Sequence, residues 1–137
     1  MVKTKTILVV EDDPDDQEVL SEVLNKIDHS YIVNFFDSGY SLIQYLKQTN
    51  ERPLLILCDI NMPLLTGLDL REALVKDPYL KKRSIPFVFY STAATPEQVE
   101  LAFELTVQGF FLKGQTIAEI ERCLKLILDY WSVSKHP

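Results

Sequence analysis

The residues of this chain that could do chemistry stand where its apolar runs stop. "TILVV" ends at Val10 and gives way to "EDDPDD", five carboxylates in the six positions from Glu11 to Asp16. "LLILC" ends at Cys58 and is followed by Asp59, Ile60 and Asn61; "PFVFYS" leads into Ser91 and Thr92; "GFFL" leads into Lys113. Two like charges 4 Å apart near a protein surface repel by about 4 kcal/mol, so acids drawn together call for a cation. An all-oxygen donor set suits a hard ion such as Mg²⁺ (or Mn²⁺), which keeps several waters and takes one or two carboxylates plus phosphate oxygens. Its charge cancels the repulsion. Asp59 can then attack a phosphoryl group and form an acyl phosphate, with Lys113 pairing with the phosphoryl oxygens and Ser91 donating a hydrogen bond to one of them.

Those residues converge only if the elements behind them bring four run ends to one rim. Strand-length apolar runs occur at 6–10, 31–36, 54–58, 86–91 and 109–112, with helical patterns between them. The runs at 6–10 and 54–58 are the most continuously apolar and suit the middle of a parallel sheet buried on both faces. Helix starts are written at Asp13 before Pro14, Ser38, Thr66 and Thr95. Each such side chain can accept from an orphan backbone N–H, and Pro fits the first helical position. In the last helix, "TIAEIERCLKLILDYW", Ile117, Ile120, Leu124, Ile127 and Trp131 form one stripe.

Five strands alternating with five helices predict one α/β domain, a (βα)5 doubly wound five-stranded parallel sheet in the order 2-1-3-4-5, as in flavodoxin. Ligands of such sheets bind beyond the carboxyl ends of the strands, at the switch point between strands 1 and 3. Glu11, Asp12 and Asp59 are delivered there. Asp13 is free to cap the first helix, while Asp15 and Asp16 are expected to be solvated acids of its first turn, where the helix dipole favours negative charge.

Composition narrows the classes. With 137 residues, a hydrophobic share of 47% and 4 glycines, the chain is expected to form one soluble globular core. A net charge of −6 and a pI near 4.9 argue against nucleic acid as a partner of this chain alone. The basic run Lys81, Lys82, Arg83 between Pro78 and Pro86 is expected to be a solvated loop. No apolar stretch reaches the ~20 residues of a membrane span, and carboxylates follow the first apolar run at once, so no signal peptide, no membrane contact and a cytoplasmic location are expected. Cys58 and Cys123 lie in apolar segments without metal-ligand spacing, which favours buried thiols. His29 and His136 are too few and too distant to build a histidine metal centre.

In order and spacing, "ILVVEDDP" (7–14), "LCDINMPLLTG" (57–67) with its D-x-x-M-P-x-x-x-G pattern, the Ser91 hydroxyl and Lys113 resemble the receiver domains of two-component response regulators (CheY-like). The stretch "KDPYLKKRSIPFVFYST" is similar, more softly, to stand-alone receivers of the cyanobacterial phytochrome type. The resemblance spans essentially the whole chain and implies a single receiver domain over 1–137 with no output domain. It makes Asp59 the phospho-acceptor, Asp12 a direct metal ligand, Glu11 a ligand through water and the backbone carbonyl of Asn61 the last protein ligand. Ser91 matches the switch hydroxyl, Lys113 the phosphate-contacting lysine and Phe110 the aromatic that turns inward when Ser91 moves. The chain departs from the pattern at Gly114, where Pro is usual; at Thr92, where a small residue is usual and where Thr restricts access to the phosphate; and at Phe110, which has no hydroxyl and must switch by packing alone.

The function so implied is a phospho-accepting signalling switch rather than a turnover enzyme. A sensor histidine kinase or phosphotransfer protein would load Asp59, and the changed surface would be read by a downstream protein target. The alternatives are a receiver-fold adaptor that works without phosphorylation, favoured only by Thr92 and Gly114, and an aspartyl-nucleophile phosphatase of the haloacid-dehalogenase type. The phosphatase wants a second carboxylate two positions after the nucleophile, where this chain has Asn61. Flavodoxin-like cofactor binding needs a phosphate cradle where Glu11, Asp12 and Asp13 would repel anions. Cys123, Leu126 and Tyr130, or Glu97, Gln98 and Leu101 on the preceding helix, could form a homodimer or partner face.

Overall fold

The computed structural model describes residues 5–135. In chain order the elements are β1 (Thr6–Val10), α1 (Pro14–Ile27), β2 (Ile32–Phe36), α2 (Gly39–Gln48), β3 (Leu55–Cys58) and α3 (Gly67–Lys76). They continue with α4 (Pro78–Arg83), β4 (Phe87–Ser91), α5 (Pro96–Glu104), β5 (Gly109–Leu112) and α6 (Ile117–Val133). All strand pairs are parallel and the order is β2-β1-β3-β4-β5, the doubly wound topology expected from the alternation. His136 lies outside the described residues. No helix among those described is long and apolar enough to cross a membrane.

Successive strand side chains point to opposite faces, and the core divides accordingly. Leu8, Val10, Ile56, Cys58, Phe87 and Phe89 pack with residues of α2 to α5 on one face. Ile7, Val9, Leu55, Leu57, Val88 and Tyr90 pack with residues of α1 and α6 on the other. β1, β3 and β4 are buried at every position, and at about 1.5–3 kcal/mol per large apolar side chain these three strands dominate the burial. Cys58 is a buried thiol of this core, as its sequence context suggests.

The helix starts are built as their sequences dictate. The side chains of Asp13, Ser38, Thr66 and Thr95 each accept a backbone N–H of the first turn that follows. α4 corrects the count of five helices. Asp77 before Pro78 repeats the signal of Asp13 before Pro14, and its carboxylate accepts from the N–H groups of Tyr79 and Leu80. The basic run is therefore helical rather than a solvated loop. Arg83 reaches back to the carbonyls of Leu46 and Thr49, at 2.8 and 2.9 Å, and to that of Glu51, closing the end of α2.

Two further expectations change. Ile117 is exposed, so the buried stripe of α6 begins at Ile120 and runs through Leu124, Ile127 and Trp131, with Leu128 fully buried beside it. Cys123 packs against the α1/α6 core, so of the three apolar residues expected on the opposite face only Leu126 and Tyr130 are exposed.

Candidate phospho-acceptor and metal site

Strand register sets the site. Val10 is level with Phe36 and Cys58, and Cys58 with Phe89, so Glu11 and Asp59 leave the sheet side by side and Ser91 rises next to them. The Asp59 N–H still donates to the Val10 carbonyl at 3.0 Å, and the Lys113 N–H to the Ser91 carbonyl at 2.8 Å. Gly67, the last residue of the D-x-x-M-P-x-x-x-G pattern, is required by close approach. A Cβ there would stand 2.6 Å from the Asp59 carbonyl oxygen and 2.7 Å from the Phe89 ring.

One carboxylate oxygen each from Glu11, Asp12 and Asp59 lie within 4.8 Å of one another. The three differ in what already occupies them. Glu11 is 2% exposed; its Oε1 accepts from Lys113 Nζ at 2.6 Å and its Oε2 from the Asp13 N–H at 3.2 Å. Asp59 Oδ1 accepts from Ser91 Oγ at 2.8 Å and from the Asn61 N–H at 3.1 Å. The buried Ser91 Oγ in turn accepts from the Ile60 N–H at 2.7 Å, which fixes the direction of its proton toward Asp59. Asp12 is exposed and engaged by none of these donors.

Burial pushes the Glu11 carboxyl above its ordinary range, against the pull of the Lys113 ammonium. Burial alone would lower Lys113, but the hydrogen bond and charge of Glu11 outweigh it and hold the ammonium up. Here one lysine serves an acid cluster that carries three carboxylates. The donor set is oxygen throughout and open on the Asp12 side, which fits a hard divalent cation.

Around this centre the remaining residues take distinct places. The Asn61 side chain donates to the Ala93 carbonyl at 3.1 Å and accepts from Gln98 Nε2 at 3.4 Å, tying the β3–α3 loop to the start of α5. Thr92 is exposed beside Ser91. Phe110 is half-buried, its ring 5.4 Å from that of Phe89, with which it packs against the core. Asp13 caps α1 as expected. Asp16, in contrast, is not merely a solvated first-turn acid, since its Oδ2 lies 3.6 Å from Lys113 Nζ.

Three participants have only weak signals in the sequence. Asp16 is hidden among neighbouring acids. Gln17, whose side chain donates to the Glu11 carbonyl at 2.5 Å, looks like any surface helix residue. Gln98 is legible only as the fourth residue of the Thr95 capping box.

Fold and cluster together define a doubly wound α/β domain with an acidic, lysine-bearing pocket at the switch point between β1 and β3. The chain belongs to the response regulator receiver domain family, whose model matches residues 7–125. It is 31% identical over 134 residues to the response regulator Rcp1 of Synechocystis, covering 93% of this chain and 88% of that protein. Protein MrkE of Klebsiella pneumoniae is 30% identical over 125 residues, 91% of this chain but 44% of that protein. The crystal structure of the phosphorylated cyanobacterial phytochrome response regulator RcpA superposes with a TM-score of 0.85 at 27% identity, covering 97% of each chain. The Mn²⁺-bound form of Rcp1 gives 0.81 at 27%, covering 96% of this chain and 98% of that one.

Proposed function

We propose that this receiver domain is a phospho-accepting switch that takes its phosphoryl group onto Asp59 from a histidine kinase or a phosphotransfer protein in the cytoplasm. The observation that carries the reading is the cluster of Glu11, Asp12 and Asp59, with Lys113 Nζ 2.6 Å from Glu11, at one rim of the sheet. Asp12, Asp59 and the backbone carbonyl of Asn61 would hold Mg²⁺ or Mn²⁺, with Glu11 acting through water. The ion, when bound, supplies positive charge for the phosphoryl oxygens.

In the transfer, a carboxylate oxygen of Asp59 forms the O–P bond as the N–P bond of the donor phosphohistidine breaks. The imidazole leaves with that electron pair and takes up a proton. Ser91 Oγ, now hydrogen-bonded to Asp59, turns its proton to a phosphoryl oxygen. Lys113 exchanges Glu11 for another, and each new bond is charge-assisted. The space Ser91 vacates is filled by movement of Phe110 against Phe89, while Thr92 narrows the mouth. The phosphate thus favours one of two packings, and a downstream protein reads the altered surface around α5, β5 and α6. Leu101, Leu126 and Tyr130 are exposed there, which also suits a homodimer; an unchanged monomer in sedimentation, with and without a phosphoryl mimic, would rule the dimer out.

Incubation with acetyl phosphate and Mg²⁺ followed by intact mass measurement tests the switch. The wild type gains one phosphoryl group and Asp59→Asn gains none. No gain in a folded wild type would leave the phosphorylation-independent adaptor, and an equal gain in Asp59→Asn would move the acceptor elsewhere.

A further inference from the structure

At the opposite rim of the sheet, where the strands begin, the structure holds a cavity of about 230 Å³ between α3, α4 and the segments leading into β4 and β5. Leu46, Leu74, Val75, Leu80 and Ile85 wall it, and Ile56 of β3 lies beside them. Arg71 is set into this apolar lining and is only 9% exposed. Its Nε donates to the Leu105 carbonyl at 2.9 Å, and its Nη2 to the carbonyl and hydroxyl of Thr106 at 3.0 and 3.2 Å. The guanidinium carbon lies 5.3 Å from the centre of the Phe87 ring.

Every one of those partners is neutral. Buried charges are ordinarily paired, and the carbonyls at the end of α5 offer only the partial negative charge of a helix terminus. Among the described residues no carboxylate pairs with Arg71, and its Nη1 has no acceptor. Nor is Nη1 sealed from solvent, because the only side-chain N or O atom both shut off and unpartnered among those residues is the Tyr90 hydroxyl. Arg71 is itself one of the residues that line the cavity. A second cation, Lys81, and the Ser84 hydroxyl also line it.

We propose that this cavity binds a small monocarboxylate with an apolar body, the carboxylate on Arg71 Nη1 and the body against Leu46, Leu74, Val75 and Ile85. A single buried guanidinium beside an apolar wall matches one planar, singly charged group, whereas the second charge of a phosphate dianion would have only the exposed Lys81 to meet it. The volume lies just below that of pockets for drug-sized ligands, which start at about 300 Å³, so the acid is of benzoate size. This site is independent of the chemistry proposed for Asp59.

The test is titration of the full chain with benzoate, with benzamide as the neutral isostere and inorganic phosphate as the alternative anion, followed by backbone amide shifts and calorimetry. Benzoate is expected to give saturable shifts at Val75, Ser84 and Gln108 in the millimolar range or tighter, with benzamide and phosphate at least tenfold weaker. Val75→Phe, which fills the cavity and leaves Arg71 in place, should abolish them. Arg71→Gln should weaken benzoate tenfold or more; because Arg71 also ties down the α5–β5 turn, Val75→Phe carries the test if that variant does not fold. Absence of saturable benzoate shifts, benzamide or phosphate binding as well as benzoate, or undiminished binding by Val75→Phe would each overturn the assignment.

Discussion

Lys113→Met removes the ammonium from the acidic pocket but keeps its apolar stem, leaving Glu11 with a side chain 3% exposed and no counter-charge. Glu11 then has one escape, which is to take a proton. Its ordinary pKa is 4.5 and burial already raises it. At 1.36 kcal/mol per pH unit, neutralising the carboxyl at pH 7 costs at most about 3.4 kcal/mol, and at pH 5 about 0.7 kcal/mol. The first figure falls in the ~3–5 kcal/mol range for buried pairs broken by removal of one partner. The sign follows from linkage. A carboxyl whose folded pKa is raised favours the folded state fully below its unfolded value and loses that contribution as pH rises through the folded value. Urea unfolding should therefore show a loss of about 3 kcal/mol at pH 7 that nearly vanishes by pH 5. Millimolar Mg²⁺ should stabilise the variant more than the wild type, since a bound cation stands in for the ammonium. An equal loss at both pH values, or the same loss when Lys113→Met is made in a Glu11→Gln background, would refute the account.

Other expectations concern the surroundings. A Cβ at position 114 would stand 2.4 Å from Glu119 Cβ and 3.1 Å from Glu119 and Ile120 backbone atoms. Gly114→Ala should thus destabilise by about 1–3 kcal/mol in thermal or urea unfolding, and a neutral result would show that α6 gives way freely. At the end of α1, the Lys5 ammonium and the Ser30 hydroxyl and N–H hold the Asp28 carboxyl far below its usual 3.8. Its contribution is present above pH 3.8 and lost as pH falls through the folded value, so Asp28→Asn should flatten the acid limb of urea midpoints measured from pH 5 down to about pH 2. Burial pushes both thiols up, Cys58 well above 9.0 and Cys123 less far. A disulfide reagent at pH 8 should label Cys123 slowly and Cys58 only on unfolding; prompt modification of two thiols in the native protein would contradict the packing.

The sequence by itself determined the strand set, four helix caps, the strand order and the identity of the acids, hydroxyl and lysine at the strand ends. Each of these is written locally. Val-, Ile- and Leu-rich runs suit strands buried on both faces, and Asp, Ser or Thr before a helical pattern satisfies orphan N–H groups. A parallel alternation leaves few topologies open. The same local reading could have found α4, because Asp77 and Pro78 repeat the cap at Asp13 and Pro14, but three successive basic residues drew the segment toward a loop.

Only the tertiary structure decided how the charges are distributed. Lys113 lies 102 residues from Glu11 along the chain, and the two meet at 2.6 Å because β1 and β5 end at the same rim. That Ser91 donates to Asp59 while accepting from Ile60 depends on the register of β3 against β4. Arg83 clasping the end of α2 and Arg71 buried beside a cavity without a carboxylate are likewise invisible to periodicity. A long cationic side chain reads as solvated until the packing of distant elements fixes where its head can go.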